Sequence, residues 1–201
     1  MSNAILMTMM TPPAEKDAEF NDWVNTEHLP ERRDIDGFVN VRRFRNSHAS
    51  PRYMAMYDLV NLSVLQSSAY RKIAGDNLSP WSKRMLMHAT DRWRFEGTLI
   101  EEYKPASVMQ QTDQGVELLV VIAKGLTPML ARNVAHDVRS ALAHEHTVLR
   151  WRFFSAVSDG LEDYVAILEF PVAVPSAVLD VIQCVITASV PDARAHLFTL
   201  I

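Results

Sequence analysis

The 201-residue chain predicts an α+β fold: two tandem ferredoxin-like β-α-β-β-α-β units forming an intrachain α+β barrel. Three observations carry this. Apolar, strand-like runs alternate with helix-period segments in the same order twice along the chain. Each half contains two adjacent strands joined by a short polar turn, the pattern of a hairpin. The segments "RYMAMYDL" from Arg52 and "DYVAILEF" from Asp163 align without a gap, matching Tyr53 with Tyr164, Ala55 with Ala166 and Asp58 with Glu169. Repeated order together with matching residues reads as a duplication. Such a unit makes a four-stranded antiparallel sheet with both helices on one face. The bare face must be buried, and two copies in one chain can bury theirs against each other, leaving a cavity between the sheets.

The elements follow in order. "AILMTMM", Ala4 to Met10, is a buried strand, and "TPPAEKDAEF" leads into an amphipathic helix from about Ala14. Phe20, Val24 and His28 fall at i, i+4 and i+8 on its apolar stripe, beside Trp23. Pro30 disfavours helical geometry at Leu29, so the helix is expected to end at His28, where the negative end of the dipole favours a protonated ring. "DGFVNVRRFR" and "PRYMAMYDLV" form a hairpin around "NSHAS". "NLSVLQSSAYRKIAG" reads as a short helix capped by Asn61 or Ser63, and "SPWSKRMLMH" as a helix with Ser79 as cap and Pro80 at the first position. "DRWRFEGTLIEEY" closes the first unit, residues 1–103. A polar linker, 104–115, precedes the second unit, 116–201. There "VELLVVIA", "TPMLARNVAHDVRSALAHEH", a hairpin around Asp159 and Gly160, "VPSAVLDVIQCVITAS" and "ARAHLFTLI" repeat the order.

Composition excludes several classes. Hydrophobic residues make up 48% and the net charge is −4, with no long basic run, so nucleic acid is not an expected partner. The longest uninterrupted apolar run, "LLVVIA", is far short of the roughly 20 residues that span a bilayer. No basic segment leads into a long apolar stretch at the N-terminus, so a cytoplasmic protein without membrane attachment is expected. Cys184, the one cysteine, lies in an apolar helix pattern and is expected to be a buried hydrophobe. No HExxH, CxxC, GxSxG or glycine-rich phosphate loop occurs. His136 and His144 would lie about 80° apart on a helix, and His144 and His146 about 200° apart, so the three do not converge and no metal site is expected.

A histidine on an apolar helix stripe is either packing or acid–base chemistry, and imidazole titrates where such chemistry works. Tyr53 and Tyr57 share one face of their strand with Ala55 and Leu59; on a cavity wall their hydroxyls could stabilise an enolate oxygen. Arg42 or Arg43 could clamp a carboxylate. Trp23, Trp81 and Trp93 could line a pocket for an aromatic ligand, and the ten methionines could make its walls adaptable. Glu27, adjacent to His28, is expected to face solvent.

"EFNDWVNTEHLPE" followed by "DGFVNVRRFR", "PRYMAMYDL", "SSAYRK" and "SPWSKRM" resembles the dimeric α+β barrel superfamily, and within it the EthD-like proteins, whose helix-terminal histidine precedes a proline. The resemblance covers roughly Ile5 to Tyr103; the second half has no equivalent "EHLP". It implies a fused dimer with one histidine-bearing half, a possible further homodimer, and a cavity binding a small hydrophobic substrate. It also implies a cofactor-independent lyase or isomerase of dehydratase or cyclase type. His28, Tyr53 and Tyr57 are then the candidate catalytic residues, and Trp23, Arg43 and Trp81 the candidate substrate-binding residues. The alternatives are a non-catalytic binding protein and, third, a haem protein with a histidine ligand.

Overall fold

The structure is a computed structural model describing residues 2–104, 117–142, 148–158, 161–171, 173–190 and 192–201. It divides into two compact units, Met1–Thr98 with Ile201, and Leu99–Leu200. The linker expected at 104–115 lies almost wholly outside the described residues, as do Asp159 and Gly160 of the second hairpin.

In the first unit, β1 (Ala4–Thr11) pairs antiparallel with β3 (Tyr53–Leu59) on one side and β4 (Thr90–Tyr103) on the other, and β2 (Phe38–Arg45) joins the far edge of β3. The order is β4-β1-β3-β2. Strand alternation places Leu6, Tyr53, Tyr57 and Leu59 on one face, where they form a core with Phe20, Trp23, Val24, Tyr70 and Met85 of the helices. The tyrosine face is therefore the helix-covered face.

Helical segments connect the strands. α1 (Asp17–Trp23) runs through a π-helical turn, Val24–His28, into α2 (Leu29–Arg33). The segment expected as one helix after β3 is two pieces: a 3-10 turn, Leu62–Gln66, capped by Asn61, and α3 (Ser68–Arg71), capped by Ser67. Side chains that cap a turn compete with helix continuation, which accounts for the break. α4 (Pro80–His88) is capped by Ser79, whose hydroxyl accepts from Ser82 N.

The second unit repeats the strand order as β8 (Arg194–Leu200), β5 (Glu117–Leu126), β7 (Leu161–Phe170) and β6 (Arg150–Ser158). Its helices are α5 (Pro128–Leu142) and α6 (Ser176–Ser189). Cys184, expected to be buried, is exposed on α6, which turns Val178 and Ile182 to the core instead. Among the described residues no helix is long and apolar enough to cross a membrane.

The two sheets share more than order. On the face away from the helices of the first unit, Arg42 stands opposite Met56, reaches Asp58 at 3.6 Å and lies over the Phe44 ring at 5.7 Å. In the second unit Arg152 stands opposite Ile167, reaches Glu169 at 2.9 Å and lies over Phe154 at 5.4 Å. All four charged side chains are buried. Removing one member of a buried pair strands the other charge, so Arg152→Met should lower unfolding free energy by about 3–5 kcal/mol in a urea titration. A loss below about 1 kcal/mol would show that Glu169 does not depend on this partner.

Candidate active site in the first unit

The stretch from Asn21 to Arg33 builds the site. A proline within a helix lacks an amide hydrogen and its ring crowds the carbonyl four residues back. Here the chain widens just before Pro30, so that Leu29 N donates to Val24 O, five residues earlier. The wider turn seats Pro30 at the start of the next helical segment, and the helix runs on to Arg33 rather than ending at His28. Single π turns of this kind often occur at functional sites.

Glu27 and His28 then point to different places. Glu27, expected to face solvent, is half-buried. Its Oε1 accepts hydrogen bonds from Trp23 Nε1 at 3.2 Å, Ser79 Oγ at 2.6 Å and Ser82 Oγ at 3.0 Å. One carboxylate thus ties the first helix to the start of α4. His28 is buried, its ring 4.4 Å from that of Trp23. Its Nδ1 has no hydrogen-bond partner among the described residues.

The expected protonated His28 is not what this environment favours. Burial, then the nearby charges of Arg32, Arg43 and Arg94, hold its pKa well below the ordinary 6.5. The helix does not end there, so no terminal dipole opposes these effects. His28 is a neutral imidazole, able to accept a proton.

A cleft of about 660 Å³ opens within the first unit, between its sheet and its helices. His28 and Tyr57 line it, with Leu6 and Thr8 from β1 and Tyr70 from α3. The Tyr57 hydroxyl is also buried without a hydrogen-bond partner among the described residues. Burial pushes its pKa up to about 12, so it is a neutral donor. Buried polar atoms are normally satisfied, and these two without partners belong to residues that line one cleft.

The other anticipated residues lie elsewhere, Trp93 on the cleft wall excepted. Tyr53 does not line this cleft: its hydroxyl donates to Asp17 at 3.0 Å and accepts from Asn21 Nδ2 at 3.1 Å. Arg43 lies 4.6 Å over the Tyr53 ring and donates to Asn21 Oδ1 at 2.7 Å, beside a small void of about 20 Å³ behind His28. Trp23 backs the His28 ring, and Trp81 packs against the helix-side core. Three arginines of the cleft, Arg32, Arg92 and Arg94, were not anticipated. The alternation in "DRWRF" was the available signal, since it puts Arg92 and Arg94 on one strand face.

The second unit has a counterpart of the small void beside Arg43. Phe153 occupies the register position of Arg43, opposite Ala166 as Arg43 is opposite Ala55, and stacks on Tyr164 at 5.3 Å. With Trp151, Val134 and Val138 it leaves about 10 Å³. Among the described residues no group of three or more His, Cys, Asp or Glu could hold a metal ion; His144 and His146 lie outside them.

The burial of neutral His28 has a pH signature. In the unfolded chain it binds a proton near pH 6.5, and in the folded chain only well below that. The unfolded state therefore holds more protons as pH falls below about 6.5, and stability declines over that window. Urea midpoints at pH 7.5 and 5.5 should fall for the wild type and fall less for His28→Gln. Equal falls would show that His28 is not buried as a neutral ring.

No family model matches the sequence, and no curated protein matches it. Solved structures do. An anthrone oxidase-like protein matches with TM-score 0.67 at 8% identity, over 100% of this chain and 91% of its own. A candidate monooxygenase from Lactobacillus acidophilus matches at TM-score 0.60 and 11% identity, over 100% and 94%. A variant of chlorite dismutase from Candidatus Nitrospira defluvii matches at TM-score 0.59 and 13% identity, over 100% and 92%. These neighbours belong to the dimeric α+β barrel superfamily, and the likeness establishes that the chain has their mixed α+β fold.

Proposed function

We propose that the chain is a cofactor-independent lyase or isomerase, of dehydratase or cyclase type, acting by proton transfer on a small aromatic, polyketide-like or lactone compound. The observation that carries this is the pair of unpartnered buried groups, His28 Nδ1 and Tyr57 OH, on residues lining one cleft. His28 takes a proton from carbon next to a carbonyl, and Tyr57 donates a hydrogen bond to the oxygen as it becomes an enolate. The cation of Arg32 adds to that stabilisation. His28 then returns the proton to a departing hydroxyl or to another carbon. Tyr53, Arg43 and Trp23 act as positioning residues in this account, since their polar groups are bound within the protein.

A second reading is oxidation, in which the same carbanion reacts with dioxygen. The names of the anthrone oxidase-like and candidate monooxygenase neighbours favour it. A carrier that binds without turnover and a haem protein are the remaining alternatives. We also read the two units as ferredoxin-like copies of one EthD-like ancestor, supported by their common strand order and equivalent Arg–acid pairs.

Thermal shift against hydroxyquinones, polyketide fragments, lactones, aromatic acids and haemin identifies the compound class, because a ligand of the native state raises Tm. On a substrate so found, His28→Ala should lower turnover by about 10²–10⁴-fold. Tyr57→Phe should lower it by about 10²–10³-fold, and Tyr53→Phe should leave kcat near that of the wild type. Loss of less than about tenfold in His28→Ala would sink the assignment. Dioxygen consumption matched to turnover would select the oxidative reading.

A further inference from the structure

The residues that line the cleft carry charge of one sign, with Glu96 paired to Arg94 and Glu31 3.7 Å from Arg32 just outside it. Three arginines line it, Arg32, Arg92 and Arg94, and no Asp or Glu does among the described residues, in a chain whose net charge is −4. They are also graded by depth. Arg32 is buried and donates to the His28 carbonyl at 2.7 Å, beside the unpartnered His28 and Tyr57 groups. Arg92 and Arg94 are exposed, at the open end with Gly75.

At that open end the two arginines differ. Arg94 is held in place by the Tyr70 hydroxyl at 3.1 Å and by Glu96 at 2.7 Å. Arg92 reaches only the Leu86 carbonyl, at 3.4 Å, and forms no ion pair among the described residues. Much of the remaining lining is apolar, including Leu6, Met10, Leu78 and Leu86. Met9 and Trp93, which also line it, come from the register irregularity where β1 leaves β4.

We infer that the substrate is an aromatic carboxylate, its acid group held at the open end by Arg92 and Arg94 and its ring reaching His28 and Tyr57. The inference names the substrate class for the reaction proposed above and rests on that reading for the role of the buried end. A guanidinium offers a planar fork of donors that fits a carboxylate. A cleft of this size with apolar walls suits a ring system rather than a small hydrophilic anion.

Isothermal titration of the full chain with 1-hydroxy-2-naphthoate and with its methyl ester tests this. The acid should bind about tenfold or more tightly than the ester, as a charge-assisted hydrogen bond requires, and added salt should narrow the ratio. Arg92→Gln and Arg94→Gln, both at exposed positions, should each move the ratio towards one by weakening the acid more than the ester. His28→Gln should keep the ratio. Equal affinity for acid and ester, a preference that survives both arginine substitutions, or no binding of the acid would each overturn the inference. Failure of the proton-transfer reading looks different: turnover that persists in His28→Ala while the acid preference stands.

Discussion

The first unit's site depends on one carboxylate. Glu27 Oε1 gathers an indole N–H and two serine hydroxyls, and those three donors come from two helices far apart in sequence. Without Glu27, Trp23 Nε1 would keep only Ser82 Oγ, at 3.1 Å, and the buried Ser82 hydroxyl would be an unpaired donor at a cost of about 1–3 kcal/mol. Because Glu27 is fixed, its neighbour in sequence is fixed too, and adjacent helix residues point in different directions. His28 is thereby turned into the space between sheet and helices. Trp23 serves both ends of this arrangement, bonding Glu27 through its nitrogen and backing His28 with its ring.

The two units show how one scaffold carries different interiors. Strand order, the buried Arg–acid pair and the tyrosine of the central strand occur in both. The difference lies in a few helix-side positions. Where the first unit has Arg43, bound to Asn21 and lying over Tyr53, the second has Phe153 stacked on Tyr164, and the adjoining void is about 10 Å³ in place of about 20 Å³. An apolar filling stabilises by burial and dispersion. Elsewhere on its helix-covered face the first unit has a cleft of about 660 Å³, and two residues that line it each carry a buried polar group without a partner among the described residues.

Much of this was legible in the sequence, and the exceptions have physical causes. Strand order followed from alternation and turn residues, and the matched Tyr53 and Tyr164 segments do occupy equivalent strands. His28 was recognisable from its place on the apolar stripe. Its charge state was not, because a proline two residues on reads as a helix stop, whereas the π turn lets the helix continue and removes the terminal dipole. Glu27 was misjudged because i, i+1 geometry says where a side chain cannot point, not which distant serines await it. The cavity was expected between the two sheets, whereas the first unit's cleft lies between its own sheet and helices. Strand parity alone leaves that choice open. Nothing in the spacing of Arg32, Arg92 and Arg94 tells that the fold brings them to one cleft.

The central claim is that His28 is a neutral base in a ligand-binding cleft, and the most direct test is an NMR titration of its imidazole in the full chain. The account predicts that the ring stays neutral well below pH 6.5, and that its resonances shift when an aromatic ligand binds. A ring that titrates near 6.5 and ignores every ligand that raises the melting temperature would contradict it.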